Sequence, residues 1–250
     1  MSTDPPEPGS AARRRLVWSL VGAARSDAGI DGLAASLQRV CRAAAARLPV
    51  QGVAIHLMTM ESDGVAASSD EETQSLAELQ FAANEGPGQV AFQTHRPVLV
   101  PDLADAMARW PGFASLAVEG GARSVFSFPM QEGAASFGVF EAYADHAGPL
   151  DAESLAMAAA FCRAATEVVL DGGAITAEGQ LDPGLTVSLR DRDRIHQAQG
   201  MVMVDLGIPL AEALTRMQAR AFALGLTLVE LAHEVVAGTL TAEAWNDGDT

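Results

Sequence analysis

Two arginines one helical turn apart, Arg216 and Arg220, are the residues of this chain whose type and spacing point most directly to chemistry. A guanidinium is planar, permanently charged and carries five donors in a fixed fork, so it grips phosphate or carboxylate through paired bonds and stacks on flat rings. At i and i+4 on a helix, both forks project from one face. Arg190, Arg194, Gln197 and Gln199 extend the polar set upstream at helical spacing. A second use of these side chains stays open. Glu212 lies four residues before Arg216, and ion pairs along a solvated face would occupy the arginines without any ligand. Elsewhere the chain shows no Gly-rich phosphate loop, no Ser/His/Asp order in motif context and no phosphotransfer histidine or receiver aspartate, so an enzyme is not expected. Cys41 and Cys162 are read as buried structural thiols. His56, His95 and His146 have no metal-ligand or haem spacing, and no cofactor is identified.

Three amphipathic segments in succession must position the arginines. Ile195, Ala198, Val202 and Leu206 form a stripe on a helix expected over about 187–206. Gly207 ends it, and Pro209 opens a second helix with Leu210, Ala213, Leu214, Met217, Ala221 and Leu224 as its stripe. Gly225 ends that one. Thr227 and Glu230 make a capping box for a third, striped by Leu228, Leu231, Val235 and Val236. Gly200 is expected to permit close helix approach. Such stripes, joined by loops of two or three residues, pack as a three-helix unit.

The longer N-terminal part reads differently. Residues 13–27 form an amphipathic helix with Leu16, Val17, Leu20 and Val21 on one side, and 31–47 form a second. Val53, Ile55 and Leu57 alternate with Ala54, His56 and Met58, the period of a strand, and 65–68 return. Ser69 and Glu72 suggest a capping box for a helix to Phe81. After Glu85-Gly-Pro-Gly88 come a short helix over 89–94, a strand over 97–100, and helical turns either side of Trp110-Pro111. Two strands, 124–129 and 135–144, and a long helix over 151–170 capped by Asp151 complete the order. It implies an α+β unit: an antiparallel sheet with helices on one face and a pocket on the other.

Glu85-Gly-Pro87, Arg96-Pro-Val-Leu-Val-Pro-Asp-Leu103, Arg109-Trp-Pro-Gly-Phe113 and Arg123-Ser-Val-Phe-Ser-Phe-Pro-Met130 resemble the GAF domains of bacterial regulators. Ala198-Gln-Gly-Met201, Leu206-Gly207, Glu212-Ala213 and Leu231-Ala232 resemble the ANTAR module of transcription antitermination regulators. The resemblance implies a GAF-like antiparallel sheet with flanking helices followed by a three-helix ANTAR module. It divides the chain into a disordered leader (1–12), an N-terminal helix (13–28), a GAF-like sensor (29–171), a linker (172–185) interrupted by Gly172, Gly173, Gly179 and Pro183-Gly184, the ANTAR module (186–240) and a tail (241–250). One departure is Gly88, where many such relatives carry Cys, which removes thiol chemistry at that turn.

By that resemblance the ANTAR face binds twin RNA hairpins of nascent transcripts, whose unpaired loop bases are readable, and prevents transcription termination. Arg190, Arg194, Gln197, Gln199, Arg216 and Arg220 are the candidate RNA contacts. The GAF half senses a signal, with a possible small-molecule ligand lined by Phe92, Asp102, Trp110, Phe113, Phe126 and Phe128. The competing reading of those six is ordinary core, with Asp102 capping the next turn. A homodimer is expected, since paired modules engage paired hairpins at high effective concentration.

Composition qualifies the RNA reading. The chain carries net charge −16 over 250 residues and its 16 basic residues are all Arg. That argues against indiscriminate nucleic-acid binding, which depends on phosphate neutralisation. Segment 186–240 holds five Arg against six acids, net −1, so most of the acidity lies outside it. The alternative is a ligand-sensing or protein-interaction dimer whose ANTAR-like module no longer binds RNA. The polar, Pro-rich start lacks a signal peptide's pattern, and no apolar stretch approaches the roughly 20 residues of a membrane span, so a cytoplasmic location is expected.

Overall fold

A computed structural model describes residues 8–27, 32–58, 63–83, 85–133, 135–172 and 183–240. The chain divides into two compact units, Met1–Asp182 and Pro183–Thr250.

In the first unit, helices α1 (Pro8–Ala23) and α2 (Gly32–Arg47) precede strands β1 (Gly52–Met58) and β2 (Asp63–Ser68). Helices α3 (Glu71–Ala83) and α4 (Pro87–Thr94), strand β3 (Val98–Val100), a 3-10 turn (Leu103–Ala106) and helix α5 (Pro111–Glu119) follow. Strands β4 (Ser124–Glu132) and β5 (Ala135–Ala144) and helix α6 (Ala152–Asp171) close it. The five strands make one sheet, ordered β2-β1-β5-β4-β3, with every neighbouring pair antiparallel.

Register decides what each face carries. Ser127 pairs with Glu141, Ala54 with Glu141, and His56 with Val139, so these side chains share one face. On that face Ala54, Val65, Val125 and Tyr143 pack with Leu76 and Ala77 of α3, Leu103, and Trp110, Phe113 and Ala117 around α5. Phe126, Phe128 and Phe140 point to the other face, where α2 and α6 pack. Helices therefore cover both faces. The sequence expectation of helices on one side and an open pocket on the other is corrected: strands whose residues are buried throughout, as all seven of β1 are, need cover on both sides.

Local chemistry moves several boundaries. Helix α1 begins at Pro8, so residues 8–12 are helical rather than part of a leader, and residues 1–7 lie outside the described set. Pro tolerates a helix's first turn because its missing N–H has no partner there anyway. Val17 and Val21 of α1 are buried, whereas Leu16 is 43% exposed. The cap of α3 is Asp70, which accepts from Thr73 N at 2.7 Å. Ser69 is instead tied to the sheet, its hydroxyl accepting from Val53 N at 3.0 Å. Asp151 caps α6 as expected, accepting from Ser154 N at 2.7 Å. Cys41 and Cys162 are buried and free, and burial pushes both thiols up, Cys162 to about 12.

In the second unit, α7 spans Pro183–Leu206, α8 Leu210–Leu224 and α9 Leu228–Val236. Its first helix starts at Pro183, where the sequence placed an interrupted linker; residues 173–182 lie outside the described set. Gly207 and Gly225 end α7 and α8 with φ of 63° and 67°, the left-handed conformation a side chain resists. Thr227 and Glu230 form the reciprocal capping box, Thr227 N donating to Glu230 Oε2 at 2.8 Å. Ala198, Val202, Ala213, Met217, Ala221, Leu231, Ala232 and Val235 form the core. Leu210 and Leu224, placed on the α8 stripe, are 41% and 45% exposed because they stand at its two ends.

Candidate functional sites

The first site lies where α3 and α4 cover β1, β4 and β5. Glu141 of β5 is fully buried in the sheet interior, surrounded by His56, Gln80, Ser127 and Tyr143, each at most 3% exposed. Gln80 Nε2 donates to Glu141 Oε2 at 2.7 Å and to the Tyr143 hydroxyl at 3.0 Å; that hydroxyl donates to Oε2, also at 3.0 Å. Ser127 Oγ donates to Oε1, and His56 Nε2 stands 3.1 Å from Oε2. Gln80 Oε1 accepts the Gly88 backbone N–H at 2.9 Å, tying α4 to the cluster. Burial by itself would push the Glu141 carboxyl up, but the His56 ring, with Gln80 and Ser127 donating, outweighs it and holds the carboxyl below its ordinary value. Burial and then the Glu141 charge raise Tyr143 well above the usual phenol range. A cavity of about 10 Å³, room for roughly one water, is lined by His56, Met58, Gln80, Gly88, Gln89, Val139 and Glu141.

This cluster does not contain the residues expected from sequence. Trp110 and Phe113 are core, Trp110 carrying the Arg109 guanidinium over its ring at 4.4 Å. Asp102 accepts from Ala104 N at 3.0 Å, capping the 3-10 turn, and pairs with Arg123 at 3.3 Å. Phe126 and Phe128 face the opposite side of the sheet, Phe128 meeting Phe140 edge-on at 6.2 Å. Phe92 alone adjoins the cavity wall, packing against Met58, Ala91 and Val139. The six do not converge, because adjacent strand residues point to opposite faces. Reasoning from aromatics missed the polar alternates, Ser127 between Phe126 and Phe128 and Glu141 between Phe140 and Ala142. A charged residue inside an otherwise apolar strand was the available signal.

The second site is the polar surface of α7–α9. Arg216 is exposed and bonds Glu212 at 3.0 Å. Arg220 is half-buried, and its Nε is buried with no acceptor among the described residues. Arg194 Nη1 lies 2.7 Å from His233 Nε2, and Gln197 is exposed. Gln199 is a correction: it is 5% exposed and donates to Leu210 O at 2.9 Å, locking α7 to the start of α8 rather than facing solvent. The Arg190 side chain lies outside the described set. Gly200 is also corrected, since a Cβ there would meet nothing within 4 Å, so close helix packing does not require it.

A helix-walled antiparallel sheet followed by a three-helix module defines a two-domain architecture. The GAF family model matches residues 32–169 and the ANTAR domain model residues 184–236. The first covers more than half of the chain, which belongs to the GAF family and carries an ANTAR domain behind it. Among solved structures, the chain is similar to the GAF domain of an Acinetobacter phosphoenolpyruvate-protein phosphotransferase at 16% identity, covering 70% of this chain and 98% of that one with a TM-score of 0.50. The corresponding domain from Coxiella burnetii gives 12% identity, coverage of 65% and 93%, and a TM-score of 0.50. A type II free methionine-R-sulfoxide reductase from Thermoplasma acidophilum gives 14%, 56% and 93%, and 0.45. The two likenesses to phosphotransferase GAF domains bear on the fold alone. No curated protein matches the chain.

Proposed function

We infer that this protein is a cytoplasmic, homodimeric regulator that receives a signal through its GAF domain and binds RNA hairpins through its ANTAR domain to prevent transcription termination. It performs no chemistry of its own. The observation that carries the RNA reading is Arg220: a half-buried guanidinium whose Nε has no acceptor among the described residues, one turn from exposed Arg216 on the same helix. A guanidinium on a half-buried stem is partly pre-positioned, and its planar fork grips phosphate through paired bonds. Arg216 is available too, because an exposed i,i+4 ion pair contributes only about 0.3–0.5 kcal/mol. Gln197 and Arg194 add polar groups on α7, and Gly200 leaves bare backbone beside them. Two modules in a dimer would engage two hairpins together and offset the small number of charges. Among the described residues no helix is long and apolar enough to cross a membrane.

A second reading, a protein-interaction dimer without RNA binding, draws on one observation. Met201 and Val204 on α7 are 36% and 72% exposed, an apolar pair on an outer face. Fluorescence anisotropy with a twin-hairpin RNA and an unrelated stem, over a salt series, separates the two. Preference for the hairpins, lost in Arg216→Ala/Arg220→Ala with helicity intact, supports the RNA reading. Each phosphate contact removed should flatten the log–log salt slope by about 0.7 on single-stranded regions. Equal affinity for both RNAs at low salt would leave the protein-interaction reading.

A further inference from the structure

The groove between α1 and α6 holds a charge that the fold leaves unmatched. Glu167 of α6 is fully engaged: Oε1 accepts Arg14 Nε at 3.2 Å, and Oε2 accepts Arg14 Nη2 at 2.9 Å and Trp18 Nε1 at 3.3 Å. Arg163 stands one helical turn earlier on α6, the spacing at which it would pair with Glu167, yet that carboxylate is turned to α1. The Arg163 guanidinium is exposed, and among the described residues no hydrogen bond or ion pair holds it. The Arg14–Glu167 pair also leaves Arg14 Nη1 over. Both arginines line a groove of about 510 Å³, within the roughly 300–1,000 Å³ that small-molecule sites span. Half-buried Trp18 supplies one wall, its indole fixed by the bond to Glu167, while Ala11, Ala160 and Ala164 add lining without bulk.

Charge and shape restrict the occupant. With Glu167 balanced by Arg14, the lining carries one uncompensated positive charge, which repels a cation and which a neutral molecule leaves unused. A polyanion meets the rest of a chain of net charge −16. A second copy docked about a two-fold axis would bring two such faces together, and α1 carries Arg13, Arg14 and Arg15 with no acidic residue. That leaves a small anion. Guanidinium and indole both stack on flat rings, and a guanidinium fork takes both oxygens of a carboxylate.

We propose that the α1–α6 groove is a binding site for an aromatic carboxylate, its oxygens held by Arg163 with Arg14 Nη1 beside them and its ring laid against Trp18. The site is distinct from the Glu141 cluster, which lies under α3 and α4 on one face of the sheet, whereas α6 packs on the other. That its occupancy is the signal read by the GAF domain rests on the sensor reading above.

Ligand-observed NMR titrations of the full chain test the site, with naphthoate, its neutral alcohol naphthalenemethanol, its cationic counterpart naphthylmethylammonium and the flexible carboxylate octanoate as probes. Naphthoate is expected to saturate with a Kd of about 1 mM or tighter, at least about tenfold below that of each other probe. Arg163→Ala, at an exposed side chain with no partner to orphan among the described residues, should weaken naphthoate about tenfold or more. Arg163→Lys, which keeps the charge without the fork, should recover part of that loss. Trp18→Leu should erase the preference over octanoate; should it misfold, the Arg163 variants and the wild-type probes still decide. Equal affinity for the acid, alcohol and ammonium probes overturns the site, and octanoate binding as tightly as naphthoate overturns its aromatic character. An affinity unchanged in Arg163→Ala, or no saturation up to about 10 mM, overturns the site as well. In that last case, a sedimentation shift between wild type and Arg163→Glu assigns the groove to contact between copies. Hairpin affinity measured with and without naphthoate isolates the sensor reading. Saturable binding with unchanged RNA affinity overturns the groove as the source of the signal and leaves the site standing, whereas absent binding overturns the site and leaves the sensor reading open to another ligand.

Discussion

At the scale of single residues, Glu141 shows how a charge persists inside a sheet. A lone buried carboxylate would be neutralised by desolvation, but His56, with Gln80 and Ser127 donating, reverses the balance. Because the folded carboxyl titrates below its unfolded value of 4.5, its contribution to stability is present above that pH and lost as pH falls through the depressed folded value. Melts between about pH 3 and pH 7 should therefore show the wild type losing Tm on the acid side. Glu141→Gln should be less stable by about 3 kcal/mol near neutrality and show a flatter profile. Parallel profiles would remove Glu141 from the acid transition. Gly200 carries the opposite expectation. With open space where its Cβ would be, Gly200→Ala should raise the stability of the ANTAR unit by about 0.5–1 kcal/mol, the mid-helix cost of glycine. If bare backbone there approaches RNA, hairpin affinity falls in the same variant; unchanged affinity would take Gly200 out of the RNA face.

At the scale of elements, the structure explains why separate phrases of the sequence occur together. Glu85, in the turn before α4, accepts from both Gly112 N and Phe113 N, its Oε1 standing 3.0 Å from the latter. It caps α5, whose own preceding residue, Trp110, gives no side-chain cap. The Glu85-Gly-Pro and Trp-Pro-Gly-Phe phrases are thus two halves of one helix terminus, 27 residues apart. Glu85→Ala should cost about 1 kcal/mol and lower Tm by roughly 2–4 °C. Glu85→Gln, which keeps an acceptor oxygen, should recover part of the loss in the same melts. Asp102 and Arg123 join two further phrases in the same way. Cap positions read from sequence were right where competing bonds were absent, as at Asp151 and Thr227, and shifted by one where the sheet claimed the hydroxyl, as at Ser69.

At the scale of the whole molecule, each unit has its own core, so each should melt on its own. Met217→Ala, at the centre of the ANTAR core, should lower one calorimetric transition by about 2–5 kcal/mol and leave the other in place. Glu141→Gln should do the reverse. A single transition moved by both substitutions would contradict the independence of the cores. Sequence by itself determined the division into an α+β part and a helical part, the strand and helix periods, and most helix caps, because these depend on neighbours within a few residues. It also carried the family resemblance. Only the tertiary structure decided that Gln199 is internal, that Phe126 and Phe128 face away from Trp110 and Phe113, and that His56, Gln80, Ser127, Glu141 and Tyr143 meet. Those facts follow from strand register and from α3 and α4 folding over the sheet. Such contacts join residues up to 85 positions apart between His56 and Glu141, and no local pattern of hydrophobicity encodes them.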